Sequence, residues 1–448
     1  MSQAQIKSLA DKALWYGMLF LGTYLPWQIA LNPAPDIDLA SIRVVIIVLF
    51  ILYVTGGNSF AKIRQIDSKI TLGIVIWFGA LAISLFSAQE LFWGFKKLIF
   101  LINIAIIYPI SLWAFDDDSK TTQFIKVFLW SALGASVIAL ILFFSQFIVG
   151  WEAIKTFLVD NIAFLFWGES FGYEVVRNPS WLVNIGGRDY FRAFGLFPDA
   201  HTFAIFLGFA LPSSIGIYLW ENKNKYLVFA GIILITIFFS FSRSSYIGIL
   251  LGLIFTAAIF RNKIDKNTKI LLSIIGILTV IVLLFPVGPI SERFYSTFNS
   301  SENSNSMRLG YWHQAWDLFL KHPLFGAGLG NFAAEISNRA YYREAINVHN
   351  SHLEILAEGG IIAFLGWVLV WLFSFKALIK KIRKKANWLN FAIFWSLVWF
   401  AVANFFEIGL YSPQVTTLLF IFLALAQTKY HAPEEPNSKK GESYGFYV

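Results

Sequence analysis

The stretch YLVFAGIILITIFFSFSRSSYIGILLGLIFTAAIF, residues 226–260, decides the fold. Its one charged residue is Arg243, and the apolar run on either side approaches the roughly 20 residues that cross a bilayer as a helix. Lipid cannot satisfy an open backbone, so each flank is expected to be helical, with Arg243 at the turn between two crossings. Runs of this kind recur outward in both directions. Twelve are expected, at about 13–31, 39–56, 70–87, 97–115, 126–149, 199–220, 226–242, 244–260, 270–287, 359–378, 388–408 and 413–428. The composition agrees: 57% of the 448 residues are apolar, 14% are charged, and Phe alone occurs 47 times. One soluble core could not hide so much apolar surface, so the fold class is an all-α polytopic membrane protein. A secreted disulfide scaffold, a disordered chain and a soluble nucleic-acid binder are excluded. With no cysteine, thiolate metal sites and thiol nucleophiles are excluded as well.

The basic residues set the orientation. With the N-terminus in the cytoplasm, the dense clusters Lys62–Lys69, Arg261–Lys269 and Lys376–Lys385 all fall inside, while the outer loops 32–38 and 409–412 carry none. Asp116, Asp117 and Asp118 sit on an inner loop, where acidic residues weigh little. The first twelve residues, with Lys7 and Lys12, read as the cytoplasmic lead of an uncleaved helix. Four regions follow: residues 1–287 with nine spans and an outer loop at about 150–198, a helical extracytoplasmic loop at 288–357, the last three spans in 358–428, and a polar, disordered tail at 429–448.

The two long outer loops carry the chemistry. The first ends in GGRDYFRAFGLFPDAH, residues 186–201, with Arg192 just before the sixth span. Phe157 to Trp167 is apolar but too short to cross, and is expected to rest in the interface or re-enter. Arg243 lies on the outer side, where positive charge is disfavoured. It is either a turn residue that snorkels or an anion-binding arginine at the rim of a cavity. In the second loop, Ser304 or Asn305 could cap a helix carrying Arg308. Leu309, Trp312 and Trp316 share one face of it, which suits a membrane surface. The glycines at 326, 328 and 330 mark a turn-rich break. They lack the GxxxxGK[ST] spacing of a nucleotide loop. Ala333 to Arg343 is expected as a second helix. His349, Leu353, Leu356 and Gly360 fit one face of a third, which would turn His349 inward at the mouth of the bundle. His349 and His352 could be metal ligands at i and i+3, but no HExxH and no converging carboxylates accompany them, so no metal site is expected.

In order and spacing these pieces resemble the O-antigen ligase and O-antigen polymerase superfamily of bacterial membrane glycosyltransferases. The resemblance covers about residues 190 to 375. It rests on Arg192-Ala-Phe-Gly-Leu-Phe, on Ser242-Arg243-Ser-Ser-Tyr, on Arg308-x3-Trp312 leading to Pro323-Leu-Phe-Gly-Ala-Gly-Leu-Gly330, and on His349-Asn-x2-Leu353-x2-Leu356-x-Glu358-x-Gly360. One departure is Pro198-Asp199-Ala200-His201, where the family often has an Asn-Pro-Asn-like turn.

The resemblance implies a GT-C-like helical fold in a bacterial inner membrane, with the site on the periplasmic side. It implies a donor glycan on undecaprenyl diphosphate, a glycolipid or glycan acceptor, and no metal or other cofactor. Arginine suits this donor, since its fork makes paired contacts to diphosphate oxygens. Arg192, Arg243 and Arg308 are the expected substrate-binding residues, and His349 the catalytic base. Trp151, Trp167, Trp181, Trp312 and Trp316 offer aromatic surface for sugars. The expected activity is ligation of the glycan to a lipid-core sugar. A polymerase of lipid-linked repeat units is the alternative. A transporter is disfavoured because charges gather at the outer rim rather than at mid-membrane.

Overall fold

The computed structural model describes residues 3–34, 37–56, 69–115, 118–177, 179–285, 288–298, 303–342, 346–384 and 387–428. The tail at 429–448, most of the Lys62–Lys69 cluster, Asp116, Asp117 and Arg343 lie outside them. The chain is a bundle of apolar helices, here numbered in chain order. They are α1 Gln3–Tyr24, α2 Ser41–Thr55, α3 Lys69–Ser84, α4 Leu91–Ala105 continued by Ile107–Ala114, α5 Asp118–Val149, α6 Ala200–Glu221, α7 Lys225–Phe239, α8 Arg243–Phe260, α9 Lys266–Leu284, α10 Ser351–Lys384, α11 Trp388–Ala403 and α12 Pro413–Gln427. Seven of these, α3, α4, α5, α6, α8, α9 and α10, are long and apolar enough to cross a membrane, and α2, α7, α11 and α12 are shorter apolar helices.

Small residues let the helices approach. Gly73 of α3 faces the backbone of Val370 in α10, where an added Cβ would lie 2.9 Å from the Val370 nitrogen. Gly208 of α6 and Gly248 of α8 both seat against the Trp399 indole of α11, and Gly252 of α8 seats against Trp395. Helix α12 is buried from Gln414 to Gln427, so the last helix is the centre of the bundle rather than its edge. Large apolar residues exposed on α2, α3, α5 and α9, such as Ile51, Val75, Ile141 and Ile277, form the outward belt that lipid would cover.

The chain is not purely helical outside the spans. Two antiparallel hairpins decorate one end: β1 Ala30–Ala34 with β2 Ile37–Ala40, and β3 Leu182–Ile185 with β4 Arg188–Phe191. The β3–β4 turn is Gly186-Gly187, both with positive φ, which is the backbone that a two-residue hairpin turn needs. Phe157 to Trp167 runs through three short helical pieces, Trp151–Leu158, Val159–Ala163 and Phe164–Trp167.

Two expectations for the second outer loop are corrected. The helix expected from Ala333 to Arg343 ends at Ile336, because Ser337 is extended (φ −141°, ψ 115°). The third helix does not include His349. It starts at Ser351, capped by Asn350, whose Oδ1 accepts from the His352 and Leu353 amides at 3.1 and 3.0 Å. His349 precedes the cap in a left-handed conformation (φ 51°). Helix α10 then breaks at Gly360 (φ 68°), close to the expected start of the tenth span. The amides and carbonyls released by this break pair with the glycine-rich strap. The Ile361 amide donates to Pro323 O at 2.9 Å, and Ala357 O and Glu358 O accept from the amides of Ala327 and Gly328, each at 3.0 Å. The boundary drawn between 357 and 358 thus falls inside one helix.

Candidate functional site

One end of the bundle gathers Arg192, His201, Arg243, Arg293, Arg308, His349 and Glu407. Arg192 follows β4 directly. Its backbone is fixed by the Trp181 carbonyl, 2.8 Å from the Arg192 amide, and Ala193 next to it bonds Phe239 O at 2.9 Å. The side chain is 3% exposed. Its Nε donates to Ser240 O at 2.7 Å, and its Nη1 to Ser180 O and to His201 Nε2, both at 3.2 Å. Its Nη2 is buried with no hydrogen-bond partner among the described residues. Burial, with Arg293 adding repulsion, pushes the guanidinium down to about 10, while Glu407 and Asp199 pull the other way. Such a group gains from an arriving anion.

Arg243 opens α8 after a turn in which Phe241 has positive φ. It is buried. Its Nη1 donates to Ser296 Oγ at 3.1 Å, and its Nη2 to Ser304 Oγ at 2.9 Å and Asn305 Oδ1 at 2.8 Å. The reading of a snorkelling turn residue is thereby corrected: the guanidinium turns into the protein. Ser304 and Asn305 serve this arginine rather than capping their helix, which runs Asn303–Lys321. Arg293 shares Ser296 Oγ with Arg243, at 3.3 Å.

Arg308 donates from Nη2 to Glu407 Oε1 at 2.8 Å. The same carboxylate oxygen lies 2.9 Å from His201 Nδ1, and the other, Oε2, lies 3.9 Å from His349 Nδ1. Glu407 is 5% exposed. Burial works against its charge, but Arg308, then His201 and His349, outweigh it and hold the carboxyl well below the usual range. Glu407 is placed by the turn between α11 and α12, to which α10 is tied: the Ser351 amide donates to Asn404 O at 2.9 Å, and Ser351 Oγ to Asn404 Oδ1 at 2.8 Å.

The His349 ring is about one-third open, at 34% side-chain exposure, while its Nδ1 is buried without a hydrogen-bond partner among the described residues. Strained backbone and an incompletely bonded ring are typical of a working group rather than a packed one. His352 differs in both respects. Its Nδ1 accepts from Trp367 Nε1 at 2.9 Å and its Nε2 meets Ala401 O at 2.9 Å, so the ring is fully paired. Glu358 faces away from His349. It pairs with Lys97 Nζ at 2.8 Å and accepts from the amides of Gly330 at 2.8 Å and Phe332 at 3.2 Å. Among the described residues no group of three or more His, Asp or Glu could hold a metal ion.

The aromatic surface is smaller than expected. Trp181 and Trp167 are buried, their indoles bonded to Pro198 O at 3.0 Å and Leu196 O at 2.9 Å. Trp312 turns in against Phe406, while Leu309 and Trp316 stay exposed on the outer helix. Sequence reasoning missed Glu407, His201 and Arg293. Glu407 had a signal: an acidic group at the end of the apolar run 388–408 is costly unless it has a task.

Residues 228–368 match the O-antigen ligase family. The match includes Arg243, Arg308 and His349 and leaves Arg192, His201 and Glu407 outside. The chain is also 28% identical, over 249 residues, to the teichuronic acid biosynthesis protein TuaE of Bacillus subtilis (strain 168). That alignment covers 51% of this chain and 50% of the relative, so the chain spans about half the length of the curated protein that it matches. The two matches support the O-antigen ligase and polymerase superfamily as the family of this chain.

Proposed function

We propose that the chain is a glycosyltransferase of the bacterial cytoplasmic membrane. It moves a glycan from undecaprenyl diphosphate to a hydroxyl acceptor on the outer side, with twelve membrane crossings in a GT-C-like arrangement. The observation that carries this reading is the set of buried arginines packed at one end of an apolar bundle, beside a partly open histidine that a carboxylate faces. Arg192, whose buried Nη2 has no hydrogen-bond partner among the described residues, gains from an anion, and a lipid diphosphate reaches such a place from the bilayer. Arg192 and Arg243 take the diphosphate oxygens. Arg308, whose charge is met by Glu407, serves more to fix that carboxylate than to bind substrate directly.

In the transfer, the acceptor oxygen forms a bond to the anomeric carbon from the face opposite the diphosphate. The bond from that carbon to the diphosphate oxygen breaks, and its electron pair leaves with undecaprenyl diphosphate. The hydroxyl proton goes to His349 Nε2, the ring nitrogen turned away from Glu407, and the resulting imidazolium is stabilised by that carboxylate. The product is inverted at the anomeric carbon. The arginines lower the barrier because the diphosphate gains charge as the bond breaks.

Ligation to a lipid-core sugar is the main reading. The second reading is a polymerase, in which the acceptor is itself a growing lipid-linked glycan; the relative named for teichuronic acid biosynthesis suits polysaccharide assembly of either kind. Deleting the gene and resolving envelope glycans by size separates them. Full-length chains left on undecaprenyl diphosphate indicate a ligase, and single repeat units a polymerase. Unchanged glycans of both kinds contradict the proposal.

A further inference from the structure

Resting on that reading, we propose that His201 is a positioning residue that ties the leaving-group cation Arg192 to the carboxylate facing His349. The tautomer follows from its partners. A guanidinium has no acceptor, so His201 Nε2, 3.2 Å from Arg192 Nη1, must offer a lone pair. The ring proton is then on Nδ1, which lies 2.9 Å from Glu407 Oε1 and 3.2 Å from Ser242 Oγ. One imidazole thus receives from the donor side and gives to the acceptor side. Arg308 meets the same Oε1 at 2.8 Å, so the two contacts together fix Glu407 with Oε2 toward His349. The charged groups facing His201 are Arg192, Glu407 and Arg308, with Asp199 on the turn before it.

His201 does not itself take the acceptor proton, since both its nitrogens are engaged. Nor is it needed to start its helix. Asp199 caps α6 by accepting from the Thr202 amide at 2.7 Å and from Thr202 Oγ1 at 2.6 Å. The PDAH turn, where this chain departs from the family pattern, thereby brings an imidazole to the midpoint of the site.

Two conservative variants separate the halves. His201→Gln reaches the Nε2 position and keeps an acceptor for Arg192, but cannot donate from the Nδ1 position. His201→Asn keeps a donor for Glu407 and falls short of Arg192. Binding is measured with undecaprenyl diphosphate in detergent. Transfer is measured on membranes of the gene-deleted source strain, which hold its own lipid-linked glycan. His201→Gln is expected to bind normally and lose about ten-fold or more in rate, and His201→Asn to bind about ten-fold more weakly. Wild-type binding and rate in both variants overturn the inference. So does a joint loss of the two in proportion to a lowered melting temperature. Arg192→Ala in the same binding assay keeps the cases apart. Full affinity there refutes the diphosphate reading itself, whereas lost affinity with unaltered His201 variants refutes the coupling alone.

Discussion

His349 combines three features that seldom coincide: a left-handed backbone at a non-glycine residue, a buried ring nitrogen without a hydrogen bond among the described residues, and a ring edge open to solvent. His349→Ala should lower transfer by about 10²–10⁴-fold, the usual loss of a general base. His352→Ala should instead lower stability, because it removes the partner of Trp367 Nε1 and leaves a cavity. Purified variants in matched amounts, assayed for rate and melting temperature, check both. Glu407→Gln gives a pH signature. The carboxyl is held well below its usual range, so its contribution to stability is present at neutral pH and is lost as pH falls through the lowered value. The variant should melt lower at pH 7, and between about pH 5 and 3 it should lose less stability than wild type. At this scale the sequence pointed to Arg192, Arg243, Arg308 and His349, whose chemistry singles them out, and the structure brings them to one end of the bundle. The sequence hid Glu407 because its partners, Arg308, His201 and His349, lie 99, 206 and 58 residues away along the chain, and only the fold brings them together.

Helix α10 was legible as an apolar run and, through Leu353 and Leu356, in its first turns, but the reading began it too early, at His349. Its periodicity continues through His349, yet the Asn350 cap and the Gly360 break override it locally. The break is where the strap Pro323–Gly330 docks. Gly360→Ala forces a side chain into left-handed backbone, at about 1–3 kcal/mol, and would place Cβ 2.6 Å from the Gly326 amide. Reduced melting temperature and looser protease protection of the strap are the expected readouts. A second clamp holds the same region. Lys97 of α4 lies 2.7 Å from Glu354 and 2.8 Å from Glu358 of α10, all three largely buried. Lys97→Met should cost about 3–5 kcal/mol by leaving two carboxylates unpaired. Adding Glu354→Gln and Glu358→Gln should restore much of that, which thermal unfolding in detergent can follow.

For the whole molecule, hydropathy located the seven membrane-length helices found among the described residues, because a crossing demands apolar length that sequence displays openly. It did not show the two hairpins: β3–β4 turns on Gly186-Gly187, and β2 is held through Asp38, which accepts from the distant amides of Ser170 and Phe171. Sidedness can be tested on a clean background, since the chain has no cysteine. Arg188→Cys, on the exposed β4, should react with an impermeant thiol reagent in intact cells. Lys266→Cys, at the opposite end of the bundle, should react only after permeabilisation. In the proposed reaction, buried arginines and His349 divide one transfer between leaving group and acceptor. The most direct measurement is the release of undecaprenyl diphosphate coupled to glycan transfer by the purified protein, compared among wild type, Arg192→Ala and His349→Ala. Wild type should release one carrier per glycan moved, Arg192→Ala should bind the carrier about ten-fold or more weakly, and His349→Ala should bind it normally yet transfer at least about 100-fold more slowly. Wild-type transfer by both variants, or carrier release without any glycan moved, would contradict this division.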